Sequence, residues 1–243
     1  MAKKQANCDP NDPDDDDRGD AWDFVAYDPE HRLVLAVVPG ARTVENTEAI
    51  VAQAKGRLGG KVPDLITSDE FAAYPKAIEA AFSEPVPAPR ERRPGRPRIL
   101  PKRRLAAGLN YATVHKHRRN NRVVSVERRQ VFGTEEGLDE ALGRSTVSVR
   151  VNTSFLERQN GADRGRNARK ARKTYRFSKD WEVHEAMTYL TMYGYNFCWG
   201  VRTLRVKDAE KRWRERSPAM VAKLTDHVWT WQEWFTRPAV QSA

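Results

Sequence analysis

Residues 22–38, WDFVAYDPEHRLVLAVV, decide the fold, because two strand-like runs flank one turn. The runs Trp22–Tyr27 and Leu33–Val38 are rich in aromatic and β-branched residues, which favour extended backbone. Between them, Asp-Pro-Glu-His has the composition of a turn, and Val-Pro-Gly ends the second run. The stretch therefore predicts a β-hairpin.

The sequence after the hairpin alternates between helix and strand patterns. Residues 43–57 carry apolar side chains at helical spacing behind Thr43, a residue type suited to an N-cap. Residues 64–67 form a short apolar strand that ends just before Ser68 and Asp69, and a helix-like stretch runs over 70–82. This order predicts an α/β fold with a mixed sheet flanked by helices.

The second half of the chain has one further strand pattern and then a mostly helical pattern. Residues 122–132 favour a strand, and helical spacing begins at Thr153. A stripe of apolar residues at steps of four and three is typical of a core-facing helix surface: Val183, Met187, Leu190, Gly194 and Phe197. The terminal HVWTWQEWF places Val228, Trp231 and Phe235 on one helix face, which predicts packing or a subunit contact.

Composition divides the chain into three parts. Residues 1–20 are an acidic start whose like charges, Pro and Gly resist regular structure. Residues 21–200 carry the strand and helix patterns of one catalytic domain, interrupted by the basic Pro- and Arg-rich segment 83–104. Residues 201–243 form a helical C-terminal extension.

The charge balance indicates a polyanionic partner. The 43 Lys and Arg residues exceed the 33 acids, giving a formal charge of +10. Clustered cations bind phosphates by releasing condensed counterions, whereas a basic surface without a nucleic-acid role is the alternative. Two cysteines are too few for a disulfide framework, so a reducing, cytoplasmic compartment fits. No apolar run approaches the length of a membrane span.

Two carboxylates lie at positions suited to a catalytic or metal-binding site. Asp69 follows an apolar strand, at the edge where side chains of an α/β sheet emerge toward a ligand, but an Asp before a helix is also an ordinary N-cap. Glu157 opens a strongly basic segment, but Ser154-Phe155-Leu156-Glu157 also matches a capping box. Paired carboxylates beside cations suit magnesium-dependent phosphoryl transfer, for which a third carboxylate is normally needed.

Several basic groups are candidates for holding nucleic acid. Glu157, Asn160 and Arg164 would share one face of a helix, and the run is either a DNA-binding surface or a solvated charged face. The Arg-Pro-Gly-Arg-Pro-Arg sequence at 93–98 resembles a minor-groove arm, with a basic linker as the alternative. His115 and His117, among Lys and Arg, read as nucleic-acid or surface residues rather than as metal ligands. The predicted DNA-binding residues are Arg93, Arg96, Arg98, Arg158, Asn160, Arg164, Arg169, Lys170, Arg172 and Lys173.

Four segments, spread over most of the chain, carry recognisable motifs: DFVAYDPEHRLVLAVVPGART, ITSDEFAAY, SFLERQNGADRGRNARKARKTYRFSKDWEVHEA and YNFCWGVRTLR. The most specific elements are Glu-Arg-x-Asn at 157–160, the spaced arginines after it, and Phe-Ser-Lys-x-x-x-x-His at 177–184. On these motifs the chain resembles the IS-one group of insertion-sequence transposases, DDE-type recombinases with an RNase H-like catalytic core.

The resemblance implies a function and a site. Asp69 is similar to the second catalytic carboxylate and Glu157 to the third, both holding Mg²⁺ (or Mn²⁺) for cutting and joining DNA at element ends and targets. It also implies a homo-oligomer in the bacterial cytoplasm, associated with the nucleoid when bound to DNA. The alternative is a catalytically inactive DNA-binding remnant that regulates transposition.

The first family carboxylate lies on an opening strand, within an Asp-Glu-x-x-Trp-like sequence that precedes the hairpin. This chain begins at MAKKQANCDP, which resembles the tail of that segment. We therefore expect the first strand and its Asp to be missing, and strand-transfer activity to be low. Asp20, Asp23 and Asp28 are the available substitutes.

Overall fold

The computed structural model describes residues 8–9, 22–86, 103–120, 122–171 and 175–237. The chain forms two compact units: the first comprises Met1–Arg42 and Ser154–Ala243, and the second is Thr43–Thr153. In chain order, the described elements are β1 (Trp22–Asp28), β2 (Leu33–Gly40), α1 (Val44–Arg57), β3 (Leu65–Ser68), α2 (Tyr74–Phe82), β4 (Ser83–Pro85), β5 (Arg103–Leu105), β6 (Asn110–Arg119), β7 (Arg122–Phe132), α3 (Glu135–Arg144), α4 (Ser154–Arg166), α5 (Trp181–Cys198), β8 (Val206–Lys207), β9 (Trp213–Arg214), α6 (Pro218–Val221) and α7 (Trp231–Thr236).

The first unit is built on the predicted hairpin. Strands β1 and β2 pair antiparallel, and the interior of β2 is buried against α5, where Val34 and Val37 pack on Met192 and Tyr195. The side chain of Asn196 accepts the N–H of Val34 at 2.9 Å and donates to its carbonyl oxygen at 2.8 Å. Both backbone groups of this strand residue are therefore satisfied by a side chain of the covering helix.

The buried face of α5 differs from the predicted stripe. Its buried residues are His184, Thr188, Met192, Gly194, Tyr195 and Asn196. Only Gly194 belongs to both sets, Val183 is 39% exposed, and Met187, Leu190 and Phe197 are half-buried, so the predicted stripe matches the buried face only in part. The physical reason is that three of the buried side chains are polar, and a search for apolar periodicity does not detect polar residues that are buried with hydrogen-bond partners.

The second unit contains a mixed sheet, which confirms the predicted α/β class. Strand β3 pairs parallel with β6, and β6 pairs antiparallel with β7. One face of β6, carrying Ala112 and Val114, packs with Val151 and with leucines of α3. Strand β7 was predicted at its observed bounds, but β6 was not predicted, because its outer half reads HKHRR rather than as a strand pattern.

Helices α1 and α2 belong to the same unit. Helix α1 follows Thr43 as predicted, and the Thr43 side chain accepts the N–H of Asn46. Helix α2 begins at Tyr74, four residues later than predicted, with Pro75 in its first turn, where proline is tolerated because that N–H needs no helical partner. The ends of the basic segment 83–104 pair as β4 and β5, and residues 87–102 lie outside the described residues.

Aromatic residues pack the C-terminal part of the first unit. The ring centroids of Phe197 and Trp229 are 4.5 Å apart, and Trp234 lies 5.5 Å from Phe197. Trp231 packs on Gly194 of α5, where an added Cβ atom would lie 2.6 Å from the indole. None of the helices in the described ranges combines the length and apolarity that crossing a bilayer requires.

Candidate functional site

Asp69 stands at the carboxyl end of β3, beside the parallel strand β6. Its side chain is exposed, and Oδ1 accepts the N–H of Phe71 at 3.3 Å. That bond closes a local turn two residues on, and α2 begins only at Tyr74. Asp69 therefore supports a turn and is not the N-cap of α2, the alternative role considered from the sequence.

A buried tyrosine lies beneath this turn. Ser68 Oγ is 2.7 Å from the hydroxyl of Tyr111 and donates to the carbonyl oxygen of Asp69 at 2.6 Å. Burial raises the pKa of Tyr111, the hydrogen bond with Ser68 opposes that rise, and the negative charge of Asp69 adds to it. The hydroxyl therefore stays protonated and donates to Ser68, which fixes the backbone that carries the Asp69 carboxylate.

The next carboxylate along the chain, Glu70, belongs to an ion network on the sheet. Its oxygens lie 2.5 Å from His115 Nδ1 and 3.7 Å from Arg129 Nη1. Glu127 contacts Arg129 at 2.8 Å and His117 at 3.4 Å. These partly exposed pairs each contribute little stability, but they engage both histidines with carboxylates. The geometry agrees with reading the histidines as surface residues.

In the first unit, Glu157 lies on the first turn of α4 and is exposed. Ser154 is the first helical residue, whereas a capping box requires it to precede the helix. Arg158 is also exposed, and Asn160 and Arg164 are half-buried. The Oδ1 atom of Asn160 is buried, and no described residue donates a hydrogen bond to it.

Helix α4 also contributes to a buried ionic cluster, which comprises Asp23 of β1, Asp163 of α4, Lys170 and His184 of α5. Lys170 Nζ lies 3.0 Å from Asp23 Oδ2 and 2.8 Å from Asp163 Oδ2. The exposed fractions of the Lys170 and Asp163 side chains are 6% and 2%. One ammonium group thus contacts two carboxylates that the fold shields from water, and its single positive charge balances one of them.

Two further groups complete the buried ionic cluster. Thr191 Oγ1 lies 2.8 Å from Asp163 Oδ1, and His184 Nε2 lies 3.7 Å from Asp23 Oδ1. Burial alone would raise the pKa of Asp23, but interactions with His184 and with the Lys170 ammonium outweigh it and lower that pKa. Asp23 is therefore ionised, and its charge is balanced by Lys170.

Sequence reasoning considered Asp23 only as a substitute carboxylate and Lys170 only as a DNA contact. The burial of Lys170 between two carboxylates removes its ammonium from the surface that a phosphate could reach. The only sequence signal for the cluster is the i,i+4 spacing of the polar residues Gln159 and Asp163, which are both buried. Of the other substitutes, Asp20 lies outside the described residues, and Asp28 accepts the N–H of Glu30 in the hairpin turn at 2.8 Å.

Several buried polar atoms of the first unit have no hydrogen-bond partner among the described residues. Among the described residues, the buried ones are Asp23 Oδ1, Gln159 Nε2, Asn160 Oδ1, Arg166 Nη1, Asn167 Nδ2, Ser178 Oγ and His184 Nδ1. All of them belong to the first unit. Buried groups of this kind are costly, and their concentration is more typical of a functional region than of an ordinary core.

A basic cavity of about 400 Å³ is lined by residues that lie on both sides of Lys170 in the sequence. Its lining includes Arg169, Arg176 and Lys179, together with Asp180. The Asp180 side chain accepts the N–H of Val183 and so caps α5. Three cations against one carboxylate make the cavity electropositive, which favours an anion such as a phosphate. Arg93, Arg96, Arg98, Arg172 and Lys173 lie outside the described residues.

The described residues contain no group of three or more His, Cys, Asp or Glu side chains that could hold a metal ion. Mg²⁺ is commonly bound by one or two carboxylates while keeping several waters. The carboxylates of Asp69 and Glu157, one in each unit, are both exposed, whereas Asp23 and Asp163 are both held by the Lys170 ammonium. No family model, curated protein or solved structure matches the chain.

Proposed function

We propose that this chain processes DNA as a DDE-type insertion-sequence transposase, or as the catalytic fragment of one, with an RNase H-like core. The observation that carries the proposal is the exposed Asp69 carboxylate at the carboxyl end of a parallel strand, held by a turn over a buried Tyr–Ser pair. Ligand-binding groups of α/β sheets emerge at such strand ends.

In this proposal Asp69 and Glu157 would hold Mg²⁺ or Mn²⁺. The bound ion would activate water or a 3′-hydroxyl for attack on a phosphodiester and stabilise the leaving oxygen. Pairing these two residues rests on the family resemblance. Each of the two carboxylates is exposed.

The basic side chains would hold the nucleic acid. Arg158 is exposed beside Glu157, and Arg169 lines the basic cavity with Arg176 and Lys179. Phosphate contacts of this kind position a duplex without reading its sequence. We also propose a homo-oligomer, which the exposed Trp231 and Phe235 of α7 support.

The test is cleavage of supercoiled plasmid and linear duplex DNA with Mg²⁺ or Mn²⁺, using Asp69→Asn and Glu157→Gln. Glu79→Gln and Glu182→Gln are matched controls, because both replace an exposed glutamate on a helix, one in each unit. We expect nicking or joining that both site variants abolish and both controls retain. Activity that persists in Asp69→Asn would refute the proposal.

The second candidate function is a DNA-binding protein without catalysis, which would occupy element ends or enter mixed oligomers. Asp23, a candidate for the first carboxylate, is engaged by Lys170, and this favours the second candidate. It predicts salt-dependent DNA binding that Asp69→Asn and Glu157→Gln leave intact, with no cleavage by any variant.

A further inference from the structure

Strands β6 and β7 extend beyond the packed part of their sheet as a two-stranded ribbon. Residues 110–114 of β6 are buried, whereas the strand is exposed from His117 onward. Residues 122–126 of β7 are all exposed, so both faces of its outer half meet solvent. We call residues 115–120 and 122–126 the distal ribbon.

The distal ribbon has a defined local shape. The pairing register shifts between His117 and Arg118, and Asn120 adopts a left-handed φ of 51° in the connection. Asparagine tolerates that conformation better than most residues, and a bulge increases the local twist of a ribbon. The backbone pairing continues to Arg119 and Arg122. The two strands of the distal ribbon are therefore hydrogen-bonded to each other up to this outer pair.

The distal ribbon and the rest of β7 are strongly basic. Across residues 115–132, six cations stand against one acid, Glu127, which is engaged by Arg129 and His117. Three arginines, Arg118, Arg119 and Arg122, are exposed at the outer end, and no described carboxylate forms an ion pair with them. Like charges held close together repel one another, and a polyanion relieves that repulsion.

We propose that the distal ribbon binds duplex DNA, with Arg118, Arg119 and Arg122 contacting backbone phosphates on the two sides of a groove. The major groove admits a two-stranded β-ribbon. The exposed Val124 and Val126 present apolar surface of the kind that contacts thymine methyl groups. The inference rests on the proposed function for DNA as the partner, and it is independent of Asp69 and Glu157.

The positive charge of the distal ribbon also argues against a second copy of the chain as its binding partner. Strand β7 is an edge strand among the described residues, and an open edge can pair with another strand. However, two ribbons joined at this edge would bring two basic arms together. Repulsion between them opposes that pairing, whereas DNA neutralises the same charges.

The experiment measures binding of a fluorescent duplex by anisotropy between about 50 and 200 mM salt. The test protein is the full chain with Arg118→Gln, Arg119→Gln and Arg122→Gln. The matched control carries Arg57→Gln, Lys61→Gln and Lys76→Gln, which removes three exposed cations near or on the helices of the same unit.

We expect the ribbon variant to lower the slope of log affinity against log salt by about 2 to 3, since each phosphate contact contributes about 0.9. Its affinity should fall about tenfold or more at the lower salt. The control should keep the wild-type slope. Thermal unfolding should be unchanged in both, because all six side chains are exposed.

Equal slopes for the ribbon variant and the control would overturn the inference. So would a ribbon variant that keeps its DNA affinity but loses a wild-type dimer in size-exclusion chromatography, because the ribbon would then pair with a second copy. Loss of cleavage in Asp69→Asn with an intact salt slope would separate the catalytic proposal from this one.

Discussion

Replacing Lys170 by Met removes the only cation within 3.0 Å of both Asp23 and Asp163 among the described residues. Methionine keeps most of the length of the lysine side chain but has no charge, so the two carboxylates stay buried without the ammonium group. Removing one partner of a buried ion pair costs about 3–5 kcal/mol, because the remaining charge is uncompensated. We expect the free energy of unfolding at neutral pH to fall by about that amount.

The pH dependence should change sign as well. In the wild type, the pKa of Asp23 lies below its ordinary 3.8, so its stabilising effect is present above that pH and is lost as acid takes the pH through the folded pKa. In Lys170→Met, the lowering effect of the ammonium is lost, and burial, the largest influence on the Asp23 pKa, is opposed only by His184 and so raises that pKa. Protonation then relieves the buried charge, and the variant should gain stability as the pH falls from 7 toward about 5.

Urea unfolding followed by tryptophan fluorescence at several pH values measures both effects. Lys179→Met is the matched control, because Lys179 is an exposed lysine in the same segment. Adding Asp163→Asn to Lys170→Met should restore part of the lost stability, since one buried charge is removed. A Lys170→Met variant that loses no more than the control, or that is destabilised further by mild acid, would refute this reasoning.

Three other substitutions test the packing and hydrogen bonding of the first unit. Gly194→Ala should destabilise the protein by about 1–3 kcal/mol in thermal unfolding, because the new methyl group overlaps the ring of Trp231. Gly165→Ala should instead stabilise it by about 0.5–1 kcal/mol, because the space around the Cβ position is open and alanine favours the helix. Asn196→Ala should lower the free energy of unfolding in denaturant by about 1–3 kcal/mol, because the N–H and carbonyl of Val34 lose their partner. A loss of stability no larger than that of a substitution at an exposed position would contradict the role given to Asn196.

Local patterns predicted much of the fold. The hairpin, the Thr43 cap of α1 and strand β7 could be predicted because neighbouring residues determine them. Strand β6 was missed because its outer half belongs to an exposed ribbon, where neither face must be apolar. Apolar periodicity is a poor guide to a strand whose backbone is paired but whose side chains are solvated.

The candidate site was less predictable than the fold. Asp69 could be found from its position after an apolar strand, since that signal is local. Lys170 belongs to a run of cations, and nothing in the run distinguishes a buried lysine from exposed arginines. Its burial depends on Asp23, which is far away in the sequence, as well as on the nearby Asp163, and a contact between distant residues is not encoded in local spacing.

Mn²⁺ titration followed by electron paramagnetic resonance tests the central claim most directly. If Asp69 and Glu157 hold the same ion, Asp69→Asn and Glu157→Gln should each lose the site, and the double variant should lose no more than either single one. Glu79→Gln should retain it. Unchanged Mn²⁺ affinity in either single variant, or losses that add independently, would contradict the shared ion on which the catalytic proposal depends.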